Sequence, residues 1–94
     1  MSRIEITAAV AGDGWDCMVT VRDGNETCHR VRVSQADLAR LAPGASDPVS
    51  LVEASFAFLL EREPKESILR DFDLTVIGRY FPEYEREIGR RLAR

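Results

Sequence analysis

Three side chains in this sequence could do covalent or acid–base work near neutral pH: Cys17, Cys28 and His29. A cysteine nucleophile needs a base within hydrogen-bond reach, and the single histidine leaves Cys17–His29 as the pairing to weigh. Strand alternation puts both on one apolar face, but diagonally, and no third group orients the ring. A thiol buried on such a face is inert, and His29 reads as a partly buried edge histidine with a backbone hydrogen bond. Structural zinc asks for four Cys or His ligands, whereas three are present, divided between two sheet faces. Asp71/Asp73 and Glu83/Glu85/Glu87 lack the spacing and central glycine of a calcium loop. Gly12-Asp13-Gly14 is too short to cradle a phosphate and precedes a strand rather than a helix. No catalytic, metal-ligating or cofactor-binding residue is assigned, no cofactor is expected, and the chain reads as non-enzymatic.

Residues suited to recognition are more numerous. Twelve of the thirteen basic residues are arginine, Lys65 being the single lysine. Arg86, Arg90 and Arg94 recur at i, i+4 and i+8, with Arg91 beside them, a spacing able to follow phosphates. A formal charge of −3 and a pI near 5.1 argue against a nucleic-acid protein. Arg22, Arg30 and Arg32 face Glu26 and Asp16 across strands, and no aromatic is expected on that face to stack bases. The segment Gly78-Arg79-Tyr80-Phe81-Pro82-Glu83-Tyr84-Glu85 gathers aromatics around a proline break. Phe81 reads as a core anchor, whereas Tyr80, Tyr84 and Ile88 are the candidate contact residues for a protein partner or a second copy.

Period-two alternation predicts three strands at the start of the chain. Ile4, Ile6, Ala8 and Val10 alternate with polar or small residues up to the turn Ala11-Gly12-Asp13-Gly14. Trp15, Cys17, Val19 and Val21 follow, then Asp23-Gly24-Asn25, then Val31 and Val33 between Arg30 and Arg32. Matching apolar faces sets Val10 opposite Trp15, Ala8 opposite Cys17, Ile6 opposite Val19 and Ile4 opposite Val21. A three-residue second loop, with Asn25 left-handed, sets Cys17 opposite Val31, Trp15 opposite Val33, Asp16 opposite Arg32 and Arg22 opposite Glu26. Cys17 then faces the core and Cys28 the opposite face beside Thr20, so both are expected as free thiols in a reducing compartment. The outer edge of the third strand offers a route to a six-stranded dimer, unless Arg30 and Arg32 protect it.

From Ser34 the period becomes helical. Ser34 with Asp37 resembles a capping box, and Pro43-Gly44 stops the first helix. Asp47-Pro48 opens a second, from about Pro48 to Arg62, with an apolar arc broad enough for a central helix. A short helix is predicted over Lys65–Arg70, another from Leu74 to about Tyr80 with Asp73 as cap, and a last one from Glu83 to about Ala93. The fold class is α+β: a three-stranded antiparallel meander over residues 1–33, then four or five helices over 34–94 packed on one face, in two layers. Ninety-four residues support one domain, 1–94. The longest apolar run, Phe56–Leu60, falls far short of a membrane span, and residues 1–5 show no secretory signal, so a cytoplasmic location is expected and no membrane partner.

The run Ser67-Ile68-Leu69-Arg70, Phe72-Asp73-Leu74, Val76-Ile77 and Arg79-Tyr80-Phe81-Pro82-Glu83-Tyr84 resembles a segment of small bacterial proteins of unknown function. That resemblance implies a bacterial source and carries no activity. The order of meander and helix is similar, in topology alone, to HicB-type antitoxins. The expected function is a small non-enzymatic bacterial interaction or regulatory module, with a homodimer as one form it can take. The alternative is a nucleic-acid-associated or antitoxin-like regulator using the arginine row Arg86, Arg90 and Arg94.

Overall fold

The computed structural model describes residues 3–93; Met1, Ser2 and Arg94 lie outside it. The chain runs β1 (Arg3–Ala11), β2 (Gly14–Asp23), β3 (Asn25–Ser34), α1 (Gln35–Leu41), α2 (Val49–Leu60), a 3₁₀ turn (Lys65–Ser67), β4 (Asp71–Asp73), α3 (Val76–Tyr80) and α4 (Tyr84–Leu92). The fold is α+β, with one four-stranded mixed sheet in the order β1-β2-β3-β4.

The antiparallel meander has the register that hydrophobic matching requires. Val10 faces Trp15, Ala8 faces Cys17, Ile6 faces Val19 and Ile4 faces Val21. Cys17 faces Val31, Trp15 faces Val33, Asp16 faces Arg32 and Arg22 faces Glu26. The left-handed residue of the second turn is Gly24 (φ 81), not Asn25, and no residue other than glycine has positive φ among those described. Glycine adopts that conformation without a Cβ clash, so it takes the position ahead of asparagine. One sheet face buries Cys17, Val19, Val21, Thr27, His29, Val31 and Val33 under the helices. The other carries Met18, Arg22, Cys28, Arg30 and Arg32 in exposed positions.

The sheet has a fourth strand, and the predicted helix over Lys65–Arg70 is replaced. Pro64 and Ile68 are both extended (ψ 156 and 134), so only one 3₁₀ turn fits between them. The chain then runs parallel to β3, pairing Arg30 with Asp71, Val31 with Phe72 and Arg32 with Asp73. Arg30 N–H donates to Arg70 C=O (2.7 Å) and Leu74 N–H to Arg32 C=O (3.0 Å). A strand edge with unmet donors and acceptors outweighs the propensity of a six-residue helix. The third-strand edge is therefore occupied over Arg30–Arg32, which corrects its reading as a free edge there.

Helix boundaries follow local chemistry. Ser34 Oγ accepts from Asp37 N–H (3.0 Å), while the Asp37 carboxylate turns to Arg40 rather than closing the box. Asp47 Oδ1 accepts from Val49 N–H (2.9 Å) at the start of α2. Asp73 Oδ1 accepts from the Thr75 N–H and hydroxyl, holding the turn into α3. Phe56 and Phe58 are both fully buried although they lie roughly 200° apart around α2. Phe56 meets His29 and Phe72 at 5.3 and 6.2 Å between ring centroids; Phe58 meets Tyr84 and Phe81 at 5.4 and 5.8 Å.

Gly14 supplies a test of the meander. A Cβ there would stand 2.2 Å from Val33 O and 2.8 Å from Ser34 Cα, both backbone. Gly14→Ala is expected to lower unfolding stability by about 2–3 kcal/mol in denaturant melts. Gly44→Ala, at φ 87 with open space around it, is expected to lose only about 1–2 kcal/mol.

Candidate functional site

Of the residues suited to chemistry, His29 and Cys17 are built into the core. His29 is 1% exposed. Its Nδ1–H donates to Leu69 C=O (2.8 Å), so Nε2 accepts from the Thr27 hydroxyl (2.8 Å). Both ring nitrogens are engaged in the neutral form, and burial holds the imidazole below its ordinary 6.5. Cys17 faces Val31 in the core, and burial, with a smaller contribution from Asp16, pushes its thiol up to about 11. A thiol in that state supplies no thiolate at neutral pH. Cys28 is exposed on the opposite face, its Sγ 3.9 Å from Thr20 Oγ1. Among the described residues, no group of three or more His, Cys, Asp or Glu is placed to hold a metal ion.

The contact patch expected from Tyr80, Tyr84 and Ile88 divides. Tyr84 and Ile88 are buried within the chain's own core, which corrects their assignment as free contact residues. The cause is the break at Pro82, after which α4 lays its Tyr84/Ile88 stripe against α2. The Tyr84 hydroxyl donates to Ser55 Oγ (2.6 Å), which donates onward to Leu51 C=O (2.7 Å). Burial pushes this phenol up to about 12. Tyr80 alone remains open, 69% exposed at the end of α3.

Tyr80 borders a cavity of about 300 Å³. Leu59, Ile68, Phe72, Val76, Ile77 and Phe81 make its apolar walls, with Leu69, Glu63 and Ser67 completing the lining. Three elements position these groups: the C-terminal end of α2, the extended segment before β4, and α3. Leu69 is 49% exposed because consecutive residues of an extended chain point to opposite sides, and Ile68 takes the core side. Burial raises the Glu63 carboxyl above its ordinary value, placing a partly desolvated acid beside apolar walls. Leu69 escaped the sequence reading because a helix over 65–70 hid the extended geometry, and Val76 and Glu63 carried no local signal. The adjacent pair Ile68-Leu69 was the one available signal.

Within the arginine row Arg90 is engaged in an ion pair, as is the neighbouring Arg91. Arg90 pairs with Glu87 (3.4 Å), and Arg91 with Glu61 (2.6 Å) and Glu87 (3.9 Å). Arg86 is exposed, and Arg94 lies outside the described residues. Arg62 lies 3.7 Å from the Phe58 ring centroid, its Nη1–H donating to Phe58 C=O, and Arg91 approaches the same ring at 5.8 Å. These guanidiniums roof the core rather than line a free basic groove.

A larger cavity of about 590 Å³ lies where Leu41, Ala42 and Pro43 meet Gly89 and Leu92, and the Arg40–Glu85 ion pair spans its lining. No helix among the described residues is long and apolar enough to cross a membrane. Comparison with protein-family models, with curated proteins and with solved structures finds no match for this chain.

Two outcomes are expected. Because His29 titrates below its unfolded value, its stabilisation is complete above about pH 6.5 and is lost as pH falls toward the folded pKa. Denaturant midpoints should therefore drop as pH falls below about 6.5, and His29→Gln should start lower and fall less steeply. Tyr84→Phe should cost about 1–2 kcal/mol in the same melts, since it removes one buried hydrogen bond but leaves Ser55 bonded to Leu51.

Proposed function

We propose that this chain is a small non-enzymatic interaction or regulatory module that receives a bulky apolar side chain of a protein partner in the cavity beside Tyr80. The observation that carries this reading is the pairing of an apolar cavity of about 300 Å³ with two exposed large hydrophobics at its border, Tyr80 and Leu69. That volume stands at the small end for ligand sites and suits one large anchoring side chain. A tyrosine at the border supplies apolar area at low entropic cost. The partly desolvated Glu63 carboxyl favours an anchor followed by a hydrogen-bond donor or a cation. The non-enzymatic part of the reading is supported by a core thiol pushed up to about 11 and a histidine with both nitrogens engaged.

Selection of a displayed peptide library on the folded chain tests this reading. Enriched peptides are expected to share an aromatic or long aliphatic anchor and to shift the amide resonances of residues 68–81. Val76→Arg, which fills the cavity, and Tyr80→Ser should each weaken binding about tenfold or more while the protein still melts cooperatively. Failure to enrich any peptide, or binding indifferent to both variants, overturns the proposal. Binding to RNA or DNA that falls steeply with salt and disappears in Arg86→Glu would replace it with the nucleic-acid reading.

A further inference from the structure

A second surface stands independently of the cavity: the outer edge of β1. Among the described residues no strand pairs with that side of β1, which is nine residues long. The direction of its backbone groups follows from the bonds that β3 makes. Arg30 N–H and Arg32 C=O point to the β4 side. In an antiparallel pair, residues alternate between exchanging bonds with the partner and pointing away from it. Val31 and His29 therefore bond to β2, at Cys17 and Val19, which sends Met18 and Thr20 toward β1. Those residues face Thr7 and Glu5. The N–H and C=O groups of Ile4, Ile6, Ala8 and Val10 are left directed outward from the sheet.

The same four residues carry the incompletely covered part of the apolar face. Ile4, Ile6 and Ala8 are half-buried, and Val10 is 81% exposed, the most open large hydrophobic described. The usual protections of an edge are missing from β1, which has no proline, lysine or bulge along its pairing with β2. Its two charges, Arg3 and Glu5, stand on the other sheet face, Glu5 being paired with both Arg3 and Arg22. The opposite edge, β4, is only three residues long.

We infer that β1 pairs antiparallel with β1 of a second copy about a two-fold axis at Thr7, joining two four-stranded sheets into one of eight. The strand is self-complementary in that register. Ile4 meets Val10 of the second copy, Ile6 meets Ala8, Thr7 meets Thr7, and Arg3 and Glu5 meet alanines, so no like charges are opposed. A one-residue slip would set outward-pointing groups against inward-pointing ones, and a two-residue slip leaves residues at both ends unpaired. A two-fold axis perpendicular to the sheet also keeps both helix layers on one side, so Val10 is covered by apolar neighbours.

Light scattering on the eluting protein should give about 21 kDa, twice the 10.6 kDa chain. Thr7 and Val10 are exposed, so substitutions there leave the monomer's contacts in place. Thr7→Lys and Thr7→Glu should each weaken self-association about fivefold, from like charges opposed on the axis, while a mixture of the two re-forms a dimer. Val10→Lys should weaken it without rescue by mixing with either. In a Cys28→Ser background, Thr7→Cys should cross-link to itself on mild oxidation and Glu5→Cys should not. A wild-type chain that stays monomeric at millimolar concentration overturns the inference. So does a dimer that is indifferent to Thr7→Lys and Val10→Lys, or one that Tyr80→Ser dissociates.

Discussion

Two fully buried phenylalanines, two positions apart on one helix, set the constraint that organises this molecule. Phe56 and Phe58 point to nearly opposite sides of α2, and neither can be left to water when each buries roughly 150–250 Å². The sheet can satisfy only one of them. It receives Phe56, against His29 and Phe72, and the C-terminal part of the chain must come back over Phe58. Tyr84 and Phe81 do so edge-on, and Arg62 and Arg91 close the remaining side with guanidinium groups. The burial of Tyr84 and Ile88 answers that demand, and the break at Pro82 makes it possible.

The second demand comes from β3. Its outer edge and the His29 ring both present polar groups that burial would leave unmet, and residues 69–74 meet them together. Leu69 C=O accepts from the imidazole Nδ1–H, Arg70 C=O accepts from Arg30 N–H, and Leu74 N–H donates to Arg32 C=O. Satisfying these groups stretches the chain, and the stretched backbone turns Ile68 inward and Leu69 outward. The cavity beside Tyr80 is the space enclosed between this extended segment, the end of α2 and α3. A polar requirement at the sheet edge thus shapes an apolar recess on the surface.

Electrostatics divides the surfaces further. Of the arginines that looked like a phosphate-following row, Arg90 is drawn to Glu87, while the neighbouring Arg91, together with Arg62, pairs with Glu61 and lies against Phe58, where the alkyl stems cover the core. Such exposed pairs contribute little stability each. Their effect here is to leave the net charge unfocused, while the apolar openings lie elsewhere, at Tyr80 and along β1.

The register of the meander was legible in the sequence to the residue, because strand periodicity is strict and a one-residue slip inverts every side chain between core and solvent. The faces of Cys17, Cys28 and His29 followed from the same parity, and the limits of α1, α2 and α4 from Ser34, Asp47 and Pro82 to within a residue or two. Periodicity is silent where elements are short. Lys65–Arg70 has helical composition, and three residues of β4 carry too little pattern to outvote it; only the open side of β3 decides for a strand. Likewise, nothing local separates Tyr80 from Tyr84, four residues apart with proline between them. Their opposite fates, one exposed and one sealed against Ser55, depend on where α2 lies, a contact between segments about thirty residues apart. What a residue's neighbours in sequence dictate was readable from the sequence; what a distant element must cover was decided by the tertiary structure.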